Sequence, residues 1–171
     1  MSTNSIDFSA GDKVTVFAGV RKLSDAARAA LIELSSGLPA GSFMVEAPDT
    51  ASARYAMRLA GNVGSAQVAA PATYPAPITN VITPIFDLAA ATNLTKMDMR
   101  INGVDVAMID GGGTVGSGNF GNYPLFIGAR NNASLFFTGW LTSLIVRGAQ
   151  STQGQIEATE SWVAGKTGVS L

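Results

Sequence analysis

The chain has 171 residues, 47% hydrophobic and only 13% charged, with a net charge of −1. One domain of this length buries roughly 70% of its extended-chain surface. The lack of a basic stripe argues against nucleic acid or an anionic membrane as partner. There is no cysteine and no histidine, which excludes disulfides, thiolate nucleophiles, Ser-His-Asp chemistry and imidazole-ligated metals. No apolar run approaches the roughly 18 residues that span a bilayer. No basic, then apolar, start predicts a signal peptide.

Residues 1–5 are expected to be a disordered start, followed by one domain over 6–171. Lys13–Arg21 alternates cleanly, with Val14, Val16, Ala18 and Val20 on one face and Phe17 on the other. That pattern predicts a strand in a sheet whose second face is also partly covered. Ser24–Ala30 reads as a loop or single helical turn, and Leu31–Leu34 as a short strand. Ser42–Ala47 and Ala53–Ala60 are two more strands, separated by a turn at Pro48–Asp49. Gln67–Ala70 is a brief strand before a proline-rich loop, and a further strand lies near Val81–Phe86. Pro84 predicts an edge or bulge there, because proline cannot donate to a ladder.

Asn102-Gly103 lies between Met97–Ile101 and Val104–Met108, and Asn-Gly suits a type I′ hairpin turn whose two positions need positive φ. Asp110–Gly118 reads as a flexible loop without the strand–helix context of a phosphate-binding fingerprint. Pro124–Ala129 and Leu135–Val146 are apolar strand-like runs joined by the polar turn Arg130–Asn132. In the second run, Phe137, Gly139 and Leu141 are two apart, whereas Leu144 and Val146 are out of step by one residue. A β-bulge near Thr142–Ser143 would bring both sets onto one buried face. After Arg147 the period turns helical. Thr152 with Gln155 is a capping-box pair, Ile156, Thr159 and Val163 form a stripe, and Gly165 and Gly168 are stop signals. The expected fold is all-β: an antiparallel sandwich with one short C-terminal helix at about 152–164.

KVTVFAGVR, MRINGVDVA, PLFIGAR and FFTGWLTSLIVRGAQSTQGQI resemble, in that order, the concanavalin A-like lectin/glucanase superfamily in its laminin G-like jelly-roll branch. The last segment places Phe137, Gly139, Leu141, Leu144 and Val146 on that family's F-x-G-x-[IL]-x-x-[VL]-x-[IV] spacing. FSAGDKVTVFAGVRKLSDAA and LIVRGAQST also resemble domains at the C-terminal ends of bacteriophage tail fibres and tail spikes. That resemblance implies a virion protein, made in the host cytoplasm and working outside the cell, which recognises host surface polysaccharide as a homotrimer. It implies no cofactor.

The glucanases of the superfamily carry E-x-D-x-x-E on one strand, where alternation sets acid beside nucleophile. None of the twelve acidic residues forms it: Glu46 and Asp49 are three apart across a proline, and Glu157 and Glu160 fall on the predicted helix. Sugar recognition needs an aromatic face together with planar amides or guanidinium. Asn119, Asn122 and Tyr123 before the PLFIGA strand, and Arg130, Asn131 and Asn132 after it, are the best local supply. Tyr74 in the proline-rich loop is a further exposed-aromatic candidate. Asn and Gly also fill turns for backbone reasons alone. Trp140 points away from the core, as a ligand platform, as a subunit contact, or, the favoured expectation, buried beneath a loop or the helix. Trp162 is expected to anchor the helix. Asp105 and Asp110 offer oxygen ligands but no calcium-loop pattern, so no metal site is predicted. Three functions remain open: a non-cleaving receptor-binding domain, a structural trimerisation or capping module, and a glycosidase with carboxylates at a subunit interface.

Overall fold

The computed structural model describes residues 1–35, 37–50 and 52–171. In chain order the first half contains β1 (Ser2–Asp7), β2 (Lys13–Lys22), β3 (Ala30–Leu34), β4 (Ser42–Glu46), β5 (Ala56–Ala60), β6 (Ser65–Ala69) and β7 (Ile78–Asp87). The second half contains α1 (Asn93–Lys96), β8 (Met97–Ile101), β9 (Val104–Val106), β10 (Ile109–Gly113), β11 (Asn122–Ile127), β12 (Gly139–Arg147) and α2 (Gln153–Thr167). Two antiparallel sheets result, one ordered β1-β11-β3-β4-β5-β6-β10 and the other β12-β2-β7-β8-β9. They pack as a jelly-roll sandwich with α2 on the outer face of the five-stranded sheet, as the alternation predicted.

The core follows from period 2. Val14, Val16, Ala18 and Val20 of β2 meet Phe43, Val45, Met57 and Leu59 of the facing sheet, all fully buried. Phe43 stacks on Phe86 at 4.7 Å and meets Phe120 edge-on at 6.0 Å, the geometries ring quadrupoles favour. The opposite face of β2 is covered too: Phe17 packs with Val81, Ile156, Val163 and Ala164 beneath α2.

Asn102 and Gly103 adopt φ of 50° and 77°, giving the expected hairpin between β8 and β9. The bulge in β12 also falls where the spacing requires it. Leu141 pairs with Val20 and Ser143 with Gly19, so Thr142 is the extra residue. Leu141, Leu144 and Val146 then all pack against the core. Gly139 is glycine for a steric reason, since a Cβ there would lie 2.1 Å from the carbonyl oxygen of Arg21. The capping box of α2 forms at Thr152 and Gln155, and the helix passes through Gly165 to end at Gly168, left-handed at φ 73°.

Several expectations are corrected. Residues 1–5 are not disordered: Ser2–Asp7 pairs with β11, whose edge would otherwise be open. Pro84 sits inside β7, between β2 and β8, and not at an edge. Its ladder to β2 simply lacks pairs at Thr83 and Pro84. Asp110–Gly118 is not all loop, because Ile109–Gly113 pairs with β6. Strand structure after the Arg130 turn starts only at Gly139, since Asn131, Asn132 and Leu135 hold positive φ. Trp162 is 53% exposed and anchors nothing; Glu160 takes the inward position one turn after Ile156.

Gly19 is where β2, the β12 bulge and the end of α2 converge. A Cβ there would come within 2.3 Å of Thr167 Cγ2 and 2.4 Å of Thr142 Oγ1. Gly19→Ala is expected to lower stability by about 1–3 kcal/mol through overpacking, measured by urea unfolding; an unchanged midpoint would refute the close approach.

Candidate ligand-binding face

The sequence-selected residues do not converge. Asn119 donates from Nδ2 to the Ser9 carbonyl at 2.9 Å, Asn122 lies exposed at the start of β11, and the Tyr123 hydroxyl donates to the Ala40 carbonyl at 3.1 Å. These occupy one end of β11. Arg130, Asn131 and Asn132 occupy the other, where Arg130 and Asn131 line a shallow pocket of about 380 Å³ with Gly37 and Ser134. Asn132 donates to Ser2 Oγ at 3.2 Å. Tyr74 is half-buried rather than exposed, its ring against Tyr55 at 5.2 Å. Trp140 faces outward from the five-stranded sheet but is 58% exposed, correcting the expected burial. The end of α2 reaches Gly19, and the indole's neighbour is instead the Arg21 guanidinium, 5.3 Å from the ring centre.

A denser constellation lies on the outer face of the seven-stranded sheet. Phe43 and Val45 enter the core, so Met44 and Glu46 of β4 face outward. Pairing carries that face across five strands in one row: Phe126, Glu33, Met44, Arg58, Gln67. At ~4.8 Å per strand the row is about 19 Å wide. Glu46 stands beside it, two residues along β4 from Met44.

Glu33 and Glu46 are completely buried although neither points into the core. Three arginines cover them. Arg28 and Arg58 both donate to Oε1 of Glu46, Arg58 from Nε at 3.0 Å, and Arg58 Nη2 also reaches Oε1 of Gln67. Arg130 Nε donates to Oε1 of Glu33 at 3.0 Å. Among the described residues, the second carboxylate oxygen of each glutamate is buried with no hydrogen-bond partner. The arginine side chains remain 26–28% exposed. The result is a floor of sealed carboxylates under guanidinium groups that still face solvent.

Burial pushes the Glu46 carboxyl above the ordinary carboxylate range, opposed by Arg28 and then Arg58. Glu33 is raised for the same reason, opposed chiefly by Arg130. Elsewhere, a cleft of about 610 Å³ lies between Asn62, Asn93, Asp110 and the Gly113–Ser117 segment, and one of about 550 Å³ between Asp98, Arg100 and the start of α2. Among the described residues, no group of three or more carboxylates is placed to hold a metal ion.

Apart from Arg130, the members of this face escaped sequence reading. The usable signal was a lone charge at an outward position of an apolar strand, as in ALIEL and AMRLA. Spacing along a single strand could not reveal it, because Glu33 lies on β3, Glu46 on β4 and Arg58 on β5.

No family model matches the chain, and no curated protein matches it in sequence. Solved structures match it in fold. The CBM40 domain of the Ruminococcus gnavus IT-sialidase, bound to α2,3-sialyllactose, aligns with a TM-score of 0.62 at 14% identity, over 94% of this chain and 98% of that one. A heptameric SAP-like pentraxin from Limulus polyphemus aligns at 0.64 and 11%, over 92% and 73%. A leech intramolecular trans-sialidase complexed with 2,7-anhydro-Neu5Ac aligns at 0.61 and 16%, over 94% and 27%. The class this fold defines is the jelly-roll β-sandwich.

Both raised carboxyls give a signed pH dependence. Relative to a glutamine in the same place, each stabilises most below its unfolded value of 4.5 and loses that advantage as pH rises through its raised folded value. The melting temperature of Glu46→Gln minus that of the parent should therefore increase from pH 4 to pH 7. A difference that shrinks over that range would contradict the assignment.

Proposed function

We propose that this chain is a carbohydrate-binding domain of the tail-fibre kind, which recognises host surface polysaccharide through the outer face of the seven-stranded sheet without cleaving it. The observation that carries this is the set of partly exposed Arg28, Arg58 and Arg130 over sealed Glu33 and Glu46, with Gln67 beside Arg58. Planar guanidinium and amide groups held by ion pairs and hydrogen bonds to strand residues suit hydroxyl and carboxylate recognition. Similarly folded proteins solved with sialylated ligands support binding of sugar in general. Non-cleavage is supported by the state of the two carboxylates: both are inaccessible and paired with arginine, whereas glycoside hydrolysis needs one to reach the glycosidic oxygen. Resemblance of the sequence to tail-fibre ends favours a virion location outside the cell and a homotrimer, in which weak single sites combine.

One observation favours a purely structural module. Trp140 and Leu23 are exposed on the outer side of the β12–β2 edge, and such a patch fits a subunit contact. Both roles can coexist, since the two surfaces belong to different sheets.

Labelled protein binding to host cells with and without their capsule tests the proposal. Binding should disappear with the capsule, and Arg58→Lys, which keeps charge but loses the planar fork, should weaken it about tenfold. Equal binding to stripped cells would overturn the polysaccharide assignment. Release of reducing sugar from the capsule would overturn non-cleavage, and a monomer by light scattering would remove the trimer.

A further inference from the structure

We infer that the outer face of the seven-stranded sheet selects acidic sugars, with a glycan carboxylate lodged against the guanidinium groups of Arg28, Arg58 and Arg130. This rests on the carbohydrate-binding reading and adds the ligand class. The hydrogen-bond inventory carries it. Arg28 spends Nε and Nη2 on Glu46, and Arg58 spends Nε on Glu46 and Nη2 on Gln67. Arg130 spends only Nε, on Glu33. Among the described residues, Nη1 of Arg28, Nη1 of Arg58 and both Nη atoms of Arg130 therefore have no partner. Gln67 offers its amide nitrogen as a further donor, its oxygen being taken by Arg58.

The acceptors are hidden. Glu33 and Glu46 are fully buried, so their charge is felt while their oxygens stay out of a ligand's reach. What the arginine–glutamate network itself leaves free is donor. Neutral sugar hydroxyls must donate as well as accept, and this face gives their protons little to bind. A carboxylate accepts only, and guanidinium matches it in planar, two-point geometry. Charge agrees: the network's three arginines against its two glutamates leave 3 − 2 = +1 locally, in a chain whose net charge is −1. Buried carboxylates also hold the arginines in place before a ligand arrives, so less side-chain entropy is lost on binding.

The test is a glycan array carrying neutral, carboxylated and sulfated bacterial and host-type glycans, probed with the full chain. The bound set should be carboxylated. Chemical reduction of the carboxylates to alcohols should weaken those glycans at least tenfold, and raising the salt concentration should weaken binding as well. Arg130→Lys should reduce binding to the carboxylated set several-fold with an unchanged melting temperature. If Arg130→Lys melts early, Gln67→Ala serves as the second variant. Equal binding to the reduced glycans, or binding confined to sulfated ones, would overturn the carboxylate assignment while leaving a carbohydrate-binding domain. Binding to no glycan at all would overturn the reading beneath it.

Discussion

Burial of β2 on both faces is the constraint from which the rest of the architecture follows. Its valines close the sandwich core, and Phe17 on the reverse face demands a second cover. An antiparallel sheet commonly leaves one face to water; here α2 supplies the cover, capped at Thr152 and stopped at Gly168. With α2 laid over the outer face of β2, although Trp140 at the β12 edge stays exposed, the broad outer face free of a helix belongs to the seven-stranded sheet. The fold thus decides which face can meet a ligand before any individual side chain does.

That free face is built at a thermodynamic cost. Buried carboxylates are expensive even when paired, and well-packed apolar residues at Glu33 and Glu46 would often serve stability equally or better. Alternation along β3 and β4 does not require charge at these positions, since Met44, directly opposite Glu33, is apolar and equally buried. On the proposed reading, the ion pairs serve to fix three guanidinium groups against a rigid sheet. Function of this kind is expected where a local rule is broken.

Much of the fold was legible because it rests on short-range regularities. Period 2 marked β2, Asn102-Gly103 marked the hairpin, and a one-residue phase slip marked the bulge at Thr142. Where reading failed, a longer-range partner decided. The chain start became a strand because β11 offered an open edge, and Trp162 lost its anchoring place to Glu160, whose partner Arg100 lies sixty residues earlier. The site was less legible for the same reason. Asn-rich loops look like ligand sites locally, whereas Phe126, Glu33, Met44, Arg58 and Gln67 come from five separate strands and share a face only through register. Arg130 was found because it belongs to both descriptions.

Among the described residues, the buried arginine–glutamate pairs on the two sheets separate structural use of this chemistry from the proposed functional one. On the five-stranded sheet, Arg100 gives Nε and Nη2 to Glu160, Nη1 to Asp105 and Nη2 again to the Gly103 carbonyl. All its nitrogens are used, and its side chain is 7% exposed. That arginine fastens α2 to the sheet, and its pKa rises chiefly because Glu160 holds the charged form. Among the described residues, the arginines over Glu33 and Glu46 are the reverse, about four times as exposed and with donors unspent. A fastening fills its donors, whereas a binding surface keeps some open. By that criterion the network at Arg100 is a fastening complete in itself, and the one over Glu33 and Glu46 is where the proposed contact falls.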